Sequence, residues 1–314
     1  MQSYLSAALA LWALCASFAS GADAPASAKE VTLDMAGVAR RFYVFAPSAP
    51  RSPLSVVLVF HGGGGNARQM ERNSGFDELA EKQGFLAVYP EGIGNHWNDG
   101  RGVEFMQAQR ENVDDVGFVR AIVERLSQDY QIDRGRIFAT GISNGGFISH
   151  RLAAEASDLI AGIAPVVGGM APLIGEKFSP KFPVSLLLIQ GDSDRLVPLD
   201  GGFVQLGNAP RRGQVLATRE TLGKYLKLNG NPGEPTIASV AAQPKDGTKV
   251  EMAKYKDGPS GAKTWFALVK GGGHSWPGRA QPARKGETSQ PGDVFRATDT
   301  IWEFFKSCPS RTRS

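Results

Sequence analysis

Cysteine is almost missing from this sequence of 314 residues, which contains only Cys15 and Cys308. Two cysteines cannot build the multi-bridge disulfide framework that stabilises small secreted domains. Histidine is also scarce, with four copies in the whole chain. Any histidine chemistry must therefore use one of His61, His96, His150 and His274.

Long apolar runs are lacking as well. The apolar run from Tyr4 to Phe18, with no charge until Asp23, is too short to cross a bilayer comfortably. Small residues at 19–22 follow it, which is typical of a signal-peptidase site, although the first residues lack Lys or Arg. We therefore predict a signal peptide over residues 1–22, a secreted mature chain without stable membrane insertion, and Cys308 as a bystander. A buried N-terminal helix is the alternative, and a lipoprotein anchored at Cys15 is disfavoured by bulky Leu14.

Neither sign of charge dominates, because 35 Lys and Arg are interspersed with 31 Asp and Glu. The balance forms no basic stripe, and no helix-turn-helix, zinc-finger or RNP-like pattern is present. We therefore expect no nucleic-acid partner. No metal or organic cofactor is implied by the motifs, and the oligomeric state stays open.

Short apolar runs alternate with amphipathic segments along the chain. The runs are residues 55–60, 85–90, 136–140, 184–190 and 264–270. Strands that are apolar at nearly every position are buried on both faces, which indicates a mostly parallel sheet covered by helices. The fold class is therefore α/β, and we expect one catalytic domain over residues 23–314.

The segments between these runs are of two kinds. Residues 115–130 carry a helical stripe that Asp114 or Asp115 caps, and a last helix lies near residues 294–307. Residues 91–112, 229–247 and 277–293 look irregular, as functional rims often do.

The stretch "GISNGG" around Ser143 lies between a strand-like run and a helix-like segment. Such a strand-turn-helix elbow exposes its central hydroxyl, and small neighbours relieve the crowding of a strained backbone. The amide of Asn144 would stand at the helix N-terminus, available to an oxyanion. We interpret Ser143 as a nucleophile rather than a serine in a simple turn.

A serine nucleophile needs a base, and the base needs an orienting acid. In the chain order serine, acid, histidine, only His274 qualifies, because His61 and His96 precede Ser143 and His150 lies further along its helix. The acid should follow a strand between Ser143 and His274. Asp192 and Asp194 both meet that condition, and each could instead stabilise its turn.

Four consecutive glycines, residues 62–65, follow the first buried run. Glycine amides can approach a ligand without side-chain obstruction, as the second half of an oxyanion hole requires. The same stretch formally matches a dinucleotide fingerprint through Gly62, Gly64 and Ala67. Glu91 lies further along than the acidic residue of that fingerprint usually does, and a secreted protein meets little NAD, so we disfavour an oxidoreductase.

Together, "HGGGGN", "GISNGG", "GDSDRLVP", "GGGHSWPG" and "ATDTIWEFF" resemble the secreted polyhydroxybutyrate depolymerase-like esterases, which include the LpqC-type proteins and are related to feruloyl and acetylxylan esterases. The resemblance runs from about residue 40 to 306. It implies the α/β-hydrolase fold, Ser143 as nucleophile, His274 as base and Asp194 as acid. It also implies that Asn144 and one glycine of residues 62–65, with Gly63 the first choice, donate to the oxyanion.

Trp97 and Trp276 lie in loops near these motifs, and we predict that they face the substrate, although tryptophans in such loops also pack into cores. The predicted function is a serine hydrolase of carboxylic esters that acts through an acyl-enzyme. The leading substrate is a polyhydroxybutyrate-type polyester or oligoester, with feruloyl or acetylxylan esters as the alternative. A secreted binding protein that has kept the fold and lost the chemistry is a hypothesis of another class.

Overall fold

The computed structural model describes residues 27–50, 52–240, 249–278 and 295–311. The predicted signal peptide at 1–22 and most of the segment 277–293 lie outside these residues. Among the described helices, none is both long and apolar enough to span a membrane.

Twelve strands and eight helices occur in the described residues. The strands are β1 (Lys29–Met35), β2 (Val38–Phe45), β3 (Leu54–Phe60), β4 (Leu86–Pro90), β5 (Ile132–Ile142), β6 (Gly162–Val166), β7 (Ser185–Gly191), β8 (Gly202–Phe203), β9 (Gln214–Val215), β10 (Thr236–Val240), β11 (Lys249–Lys254) and β12 (Thr264–Lys270). The helices are α1 (Ala67–Ser74), α2 (Phe76–Gln83), α3 (Gln107–Arg110), α4 (Asp115–Asp129), α5 (Asn144–Glu155), α6 (Pro172–Glu176), α7 (Thr218–Asn229) and α8 (Ala297–Ser307).

Ten of the strands form one sheet in the order β1-β2-β4-β3-β5-β6-β7-β12-β11-β10. The six central strands from β4 to β12 run parallel to one another. The hairpin β1-β2 at one edge and the pair β11-β10 at the other are antiparallel additions. The α/β class expected from the sequence is confirmed.

The apolar run in β3 shows why these strands are buried on both faces. Val56, Leu58 and Phe60 point into one core cluster, whereas Val57 and Val59 point into the other. Helices α4, α5 and α7 cover the first face, and α1, α2 and α8 cover the second. Since side chains alternate across a strand, a strand between two helical layers needs apolar residues at every position.

The five predicted strands are confirmed as β3, β4, β5, β7 and β12. The helix after residue 114 is also confirmed, and Asp114 caps it by accepting a hydrogen bond from the amide of Gly117. Strand β6 was not predicted, because its sequence "GIAPV" holds a glycine and a proline, which are poor strand formers. The prediction of irregular structure over 229–247 was wrong for Thr236–Val240, which pairs with β11 at the sheet edge.

The parallel strands bring their carboxyl ends to one edge of the sheet. The loops after β3, β5, β7 and β12 therefore meet there, although they are distant in sequence. Ligands of open α/β sheets bind at that edge. These four loops contain the glycine run, Ser143, both candidate acids and His274.

Candidate active site

Ser143 occupies a strained turn between β5 and α5. Its φ of 54° and ψ of −118° lie in a region that residues with a side chain rarely adopt. A Cβ on Gly141 would lie 2.6 Å from the Phe60 carbonyl oxygen, and one on Gly145 would lie 2.3 Å from the same atom. The elbow therefore needs glycine at both positions, because its backbone presses against the end of β3.

The glycine run lies against this elbow. A Cβ on Gly62 would lie 3.6 Å from Ser143 Cβ, and one on Gly63 would lie 3.6 Å from Asn144 Cβ. Within the described residues, the amides of Gly63 and Asn144 donate to no protein acceptor. The first amides of a helix have no partner in their own helix and attract anions. Two donors are therefore available beside the Ser143 hydroxyl.

His61 orients the Gly62–Gly63 peptide. Its Nε2 accepts a hydrogen bond from the Gly92 amide at 3.0 Å, so the ring proton is on Nδ1, which lies 2.9 Å from the Gly62 carbonyl oxygen. Because C=O and N–H point in opposite directions across a trans peptide, this bond turns the Gly63 amide away from His61. Burial lowers the pKa of His61 to about 4, which keeps the ring neutral.

His274 and Asp194 are joined by a hydrogen bond of 2.8 Å between His274 Nδ1 and Asp194 Oδ2. The other carboxylate oxygen of Asp194 accepts from the amides of Leu196 and Val197 at 2.8 and 3.0 Å. The Asp194 side chain is fully buried. With both carboxylate oxygens occupied, this arrangement holds the imidazole in one orientation, with Nδ1 protonated and Nε2 directed elsewhere.

Asp192, the other candidate acid, lies elsewhere in the same loop. It is exposed, and its Oδ1 accepts from the Gly271 amide at 2.6 Å. This bond ties the loop after β7 to the loop after β12. The structure brings Asp194 to His274, whereas Asp192 connects the two loops.

The other histidines differ sharply in environment. His150 is fully buried in α5, where burial lowers its pKa to about 3, and its Nδ1 lies 3.1 Å from the Tyr225 hydroxyl. His96 is only half-buried, and its ring lies against Gly63. The chain order excludes His96 as the catalytic base, because it precedes Ser143, but the order does not concern other roles. The signal in the sequence for such a role is the position of His96 in the irregular segment 91–112.

The Asn144 side chain ties the elbow to the loop after β4. Its Oδ1 accepts from the Trp97 amide at 2.8 Å, and its Nδ2 donates to Asp99 Oδ2 at 2.5 Å. Asp99 is fully buried and forms a two-pronged ion pair with Arg101, with bonds of 2.9 and 2.6 Å. Gln109 also donates to Asp99, at 3.0 Å. The Asp99 carboxylate is thus surrounded by hydrogen-bond donors. These contacts fix the orientation of the Asn144 side chain.

Arg101 extends the same network across the site. It donates to the Arg212 carbonyl at 3.0 Å, and its guanidinium lies 4.0 Å from the centre of the Phe147 ring on α5. The loops after β4 and β8 are thereby held against α5. Sequence reasoning did not identify this network, since the pairing of Asp99 with Asn144 depends on the folded arrangement.

The prediction that Trp97 and Trp276 face the substrate was wrong. Both side chains are buried in the core, with exposures of 0% and 1%. Trp97 donates to the His61 carbonyl and packs edge-on against Phe60. Trp276 donates to the Thr298 hydroxyl. An indole that is buried with its N–H satisfied supports its loop from beneath, because no ring face remains for a ligand.

The described residues hold no cluster of three His, Cys, Asp or Glu side chains that could bind a metal ion. Cys308 is a buried free thiol, and burial raises its pKa to about 12. A thiol with so little thiolate is a poor nucleophile.

Comparisons with known proteins agree with this fold. The Prolyl oligopeptidase family matches residues 77–179. The solved acetyl xylan esterase from Aspergillus awamori is 14% identical and superposes with a TM-score of 0.56 over 86% of this chain and 94% of that one. At this identity the likeness shows the fold alone. Feruloyl esterase B of Piromyces equi is 27% identical over 226 residues, 70% of this chain but 39% of that protein.

The fold and the esterase relatives define a carboxylic ester hydrolase with the α/β-hydrolase fold. The putative esterase NocK of Nocardia uniformis subsp. tsuyamanensis is 32% identical over 291 residues, which cover 90% of this chain and 83% of NocK. The chain belongs to the same esterase family as NocK.

Replacing Asp99 by Asn tests the buried network behind Asn144. The change should lower the free energy of unfolding by about 3 to 5 kcal/mol, because it leaves the buried guanidinium of Arg101 without its counter-charge. Urea unfolding measures the loss. The matched control is Asp158→Asn, which breaks the exposed pair with Arg120 and should cost at most about 1 kcal/mol. Equal losses of unfolding free energy in the two variants would show that the buried pair of Asp99 with Arg101 contributes no more to stability than an exposed pair.

Proposed function

We propose that Ser143 is the nucleophile of this esterase, with His274 as general base and Asp194 as the acid that orients His274. The amides of Asn144 and Gly63 would stabilise the oxyanion. The observation that carries the proposal is the 2.8 Å bond between the His274 ring and the buried Asp194 carboxylate, at the same sheet edge as the strained Ser143. A buried carboxylate on Nδ1 is the arrangement that prepares Nε2 to take a proton from a serine.

In the reaction, Ser143 Oγ attacks the ester carbonyl carbon while its proton passes to His274 Nε2. The carbonyl oxygen becomes an oxyanion and accepts hydrogen bonds from the two amides. His274 then gives the proton to the leaving alcohol, and the acyl group stays on Ser143. A water molecule, deprotonated by His274, repeats the sequence on the acyl-enzyme and releases the carboxylic acid.

No hydrogen bond within the described residues joins the Ser143 hydroxyl to His274. Catalytic hydrogen bonds are often long before substrate binds and shorten in the complex. The Asp194–His274 pair and the strained Ser143 backbone are already formed. The proposed mechanism requires substrate binding to bring the Ser143 hydroxyl and His274 Nε2 into hydrogen-bond contact.

For the substrate, we propose short polyhydroxybutyrate-type oligoesters as the leading class. The motif resemblance from residue 40 to 306 supports this reading. The similarity to feruloyl esterase B of Piromyces equi supports feruloyl esters of plant polysaccharide, so that class is the second candidate. The triad does not discriminate between them, since both present the same carbonyl to the same groups.

We also propose that residues 1–22 are a signal peptide and that residues 23–314 form one secreted catalytic domain, extracellular or periplasmic. The uncharged run from Tyr4 to Phe18 and the small residues after it support cleavage there. Sequencing the N-terminus of protein recovered outside the cytoplasm should place the first residue near position 23. An intact Met1 on the exported protein would contradict this.

The assignments within the triad can be tested with two neighbouring aspartates. Asp194→Asn should lower kcat on p-nitrophenyl butyrate by about 10⁴-fold, because the amide no longer holds His274 in the productive tautomer. Asp192→Asn is the matched control and should stay within a few-fold of wild type. Ser143→Ala should lose at least about a thousandfold in kcat and all labelling by a fluorophosphonate probe. Full turnover by Ser143→Ala would overturn the mechanism.

The substrate class can be tested by comparing kcat/KM for linear 3-hydroxybutyrate oligomers and for methyl ferulate. The leading proposal expects the oligomers to be cleaved faster by a factor well above ten. A preference for methyl ferulate of the same size would assign the enzyme to the feruloyl class instead.

A further inference from the structure

His96 has an unusual position for a residue without a role in the reaction. A Cβ on Gly63 would lie 3.2 Å from His96 Cδ2, 3.4 Å from His96 Nε2 and 3.6 Å from Asn144 Cβ. The imidazole edge that bears Nε2 therefore lies beside Gly63 and near Asn144, the two residues whose amides are proposed for the oxyanion. His96 is half-buried, so this edge is part of the rim of the site.

The protonation of the ring follows from its hydrogen bond. His96 Nδ1 lies 2.7 Å from the Gly94 carbonyl oxygen, which can only accept, so Nδ1 carries a proton. In the neutral ring Nε2 then has a free lone pair. No described residue forms a hydrogen bond with Nε2. The site therefore presents one acceptor at its rim, next to its two donors.

The loop that carries His96 is held in place. The His96 amide donates to the Ile93 carbonyl at 3.2 Å, and the Gly64 amide donates to the Asn95 carbonyl at 2.8 Å. The Asn95 side chain donates to the Gly65 carbonyl at 2.8 Å. The 93–96 turn and the glycine run thus form one connected unit. An acceptor on such a unit stays at a fixed distance from the oxyanion donors. Discrimination between similar substrates requires a fixed geometry of this kind.

We propose that His96 is a specificity-determining residue, whose Nε2 accepts a hydrogen bond from a substrate hydroxyl close to the scissile ester. The proposal rests on the proposed function, because it takes Gly63 and Asn144 as the oxyanion donors. It names the substrate class as hydroxyl-bearing esters. The hydroxyl can belong to the acyl group, as in a 3-hydroxyacyl ester, or to the alcohol, as in an ester of a vicinal diol or sugar.

Two pairs of matched esters measure the contribution of that hydroxyl. The acyl pair is p-nitrophenyl 3-hydroxybutyrate and p-nitrophenyl butyrate. The alcohol pair is 2-hydroxycyclohexyl acetate and cyclohexyl acetate. Wild type should prefer the hydroxylated member of at least one pair by roughly three- to tenfold in kcat/KM, the factor expected for one neutral hydrogen bond.

Two variants separate an acceptor from a merely structural side chain. His96→Leu removes the acceptor and should abolish the preference for the hydroxylated ester. His96→Gln retains an acceptor oxygen and should keep at least part of that preference. A general distortion of the turn would lower kcat/KM for both esters of a pair together and leave the ratio of the two values unchanged.

Each outcome is decisive. A preference lost in His96→Leu only for the acyl pair supports a hydroxyacyl substrate, and one lost only for the alcohol pair supports an ester of a polyol. A wild-type enzyme with no preference in either pair, or a His96→Leu variant that keeps the full preference, would overturn the proposal. Failure of the proposed mechanism is distinguishable, because it would appear as turnover of the butyrate ester by Ser143→Ala.

Discussion

The close approach of two backbones, the end of β3 and the elbow at Ser143, is the constraint on which the site depends. Side chains at Gly141 or Gly145 would collide with the Phe60 carbonyl. With glycine at both positions, α5 begins directly against the glycine run, and Gly63 lies beside Asn144. The strained backbone of Ser143 is thus held by the packing of Gly141 and Gly145 against the end of β3. Strain at functional sites is commonly maintained by the surrounding structure in this way.

Around this contact, hydrogen bonds fix the orientation of the polar side chains that surround the site. His61 is neutral and fixed by two backbone bonds, so the Gly63 amide points away from it. Asp194 is bound by two amides and by His274. Asn144 is tied to Asp99 through its side chain. Dipoles fixed before substrate arrives need little reorganisation during the reaction, which is the main source of electrostatic catalysis.

Sequence patterns predicted five of the six parallel strands in the middle of the sheet and missed the strands at its edges. β3 and β7 are apolar at nearly every position because helices cover both faces. Strand β10 is an edge strand with Ile237 68% exposed, so its pattern carries no burial signal. β6 is a central strand, but Gly162 and Pro165 are poor strand formers and weaken its strand pattern in the sequence. Its placement depends on pairing with β5 and β7, which are distant in sequence.

The sequence by itself determined the class of fold, the elbow motif and the order of serine, acid and histidine, because these depend on local spacing and on the periodicity of burial. Spacing alone left Asp192 and Asp194 open, and the motif resemblance favoured Asp194; the tertiary structure shows that it is Asp194 whose carboxylate meets His274. It also decided that Trp97 and Trp276 are buried and that His96 lies at the rim. Whether the side chain of a loop residue is buried or exposed depends on the elements packed against the loop. The residues next to it in the sequence do not encode that packing.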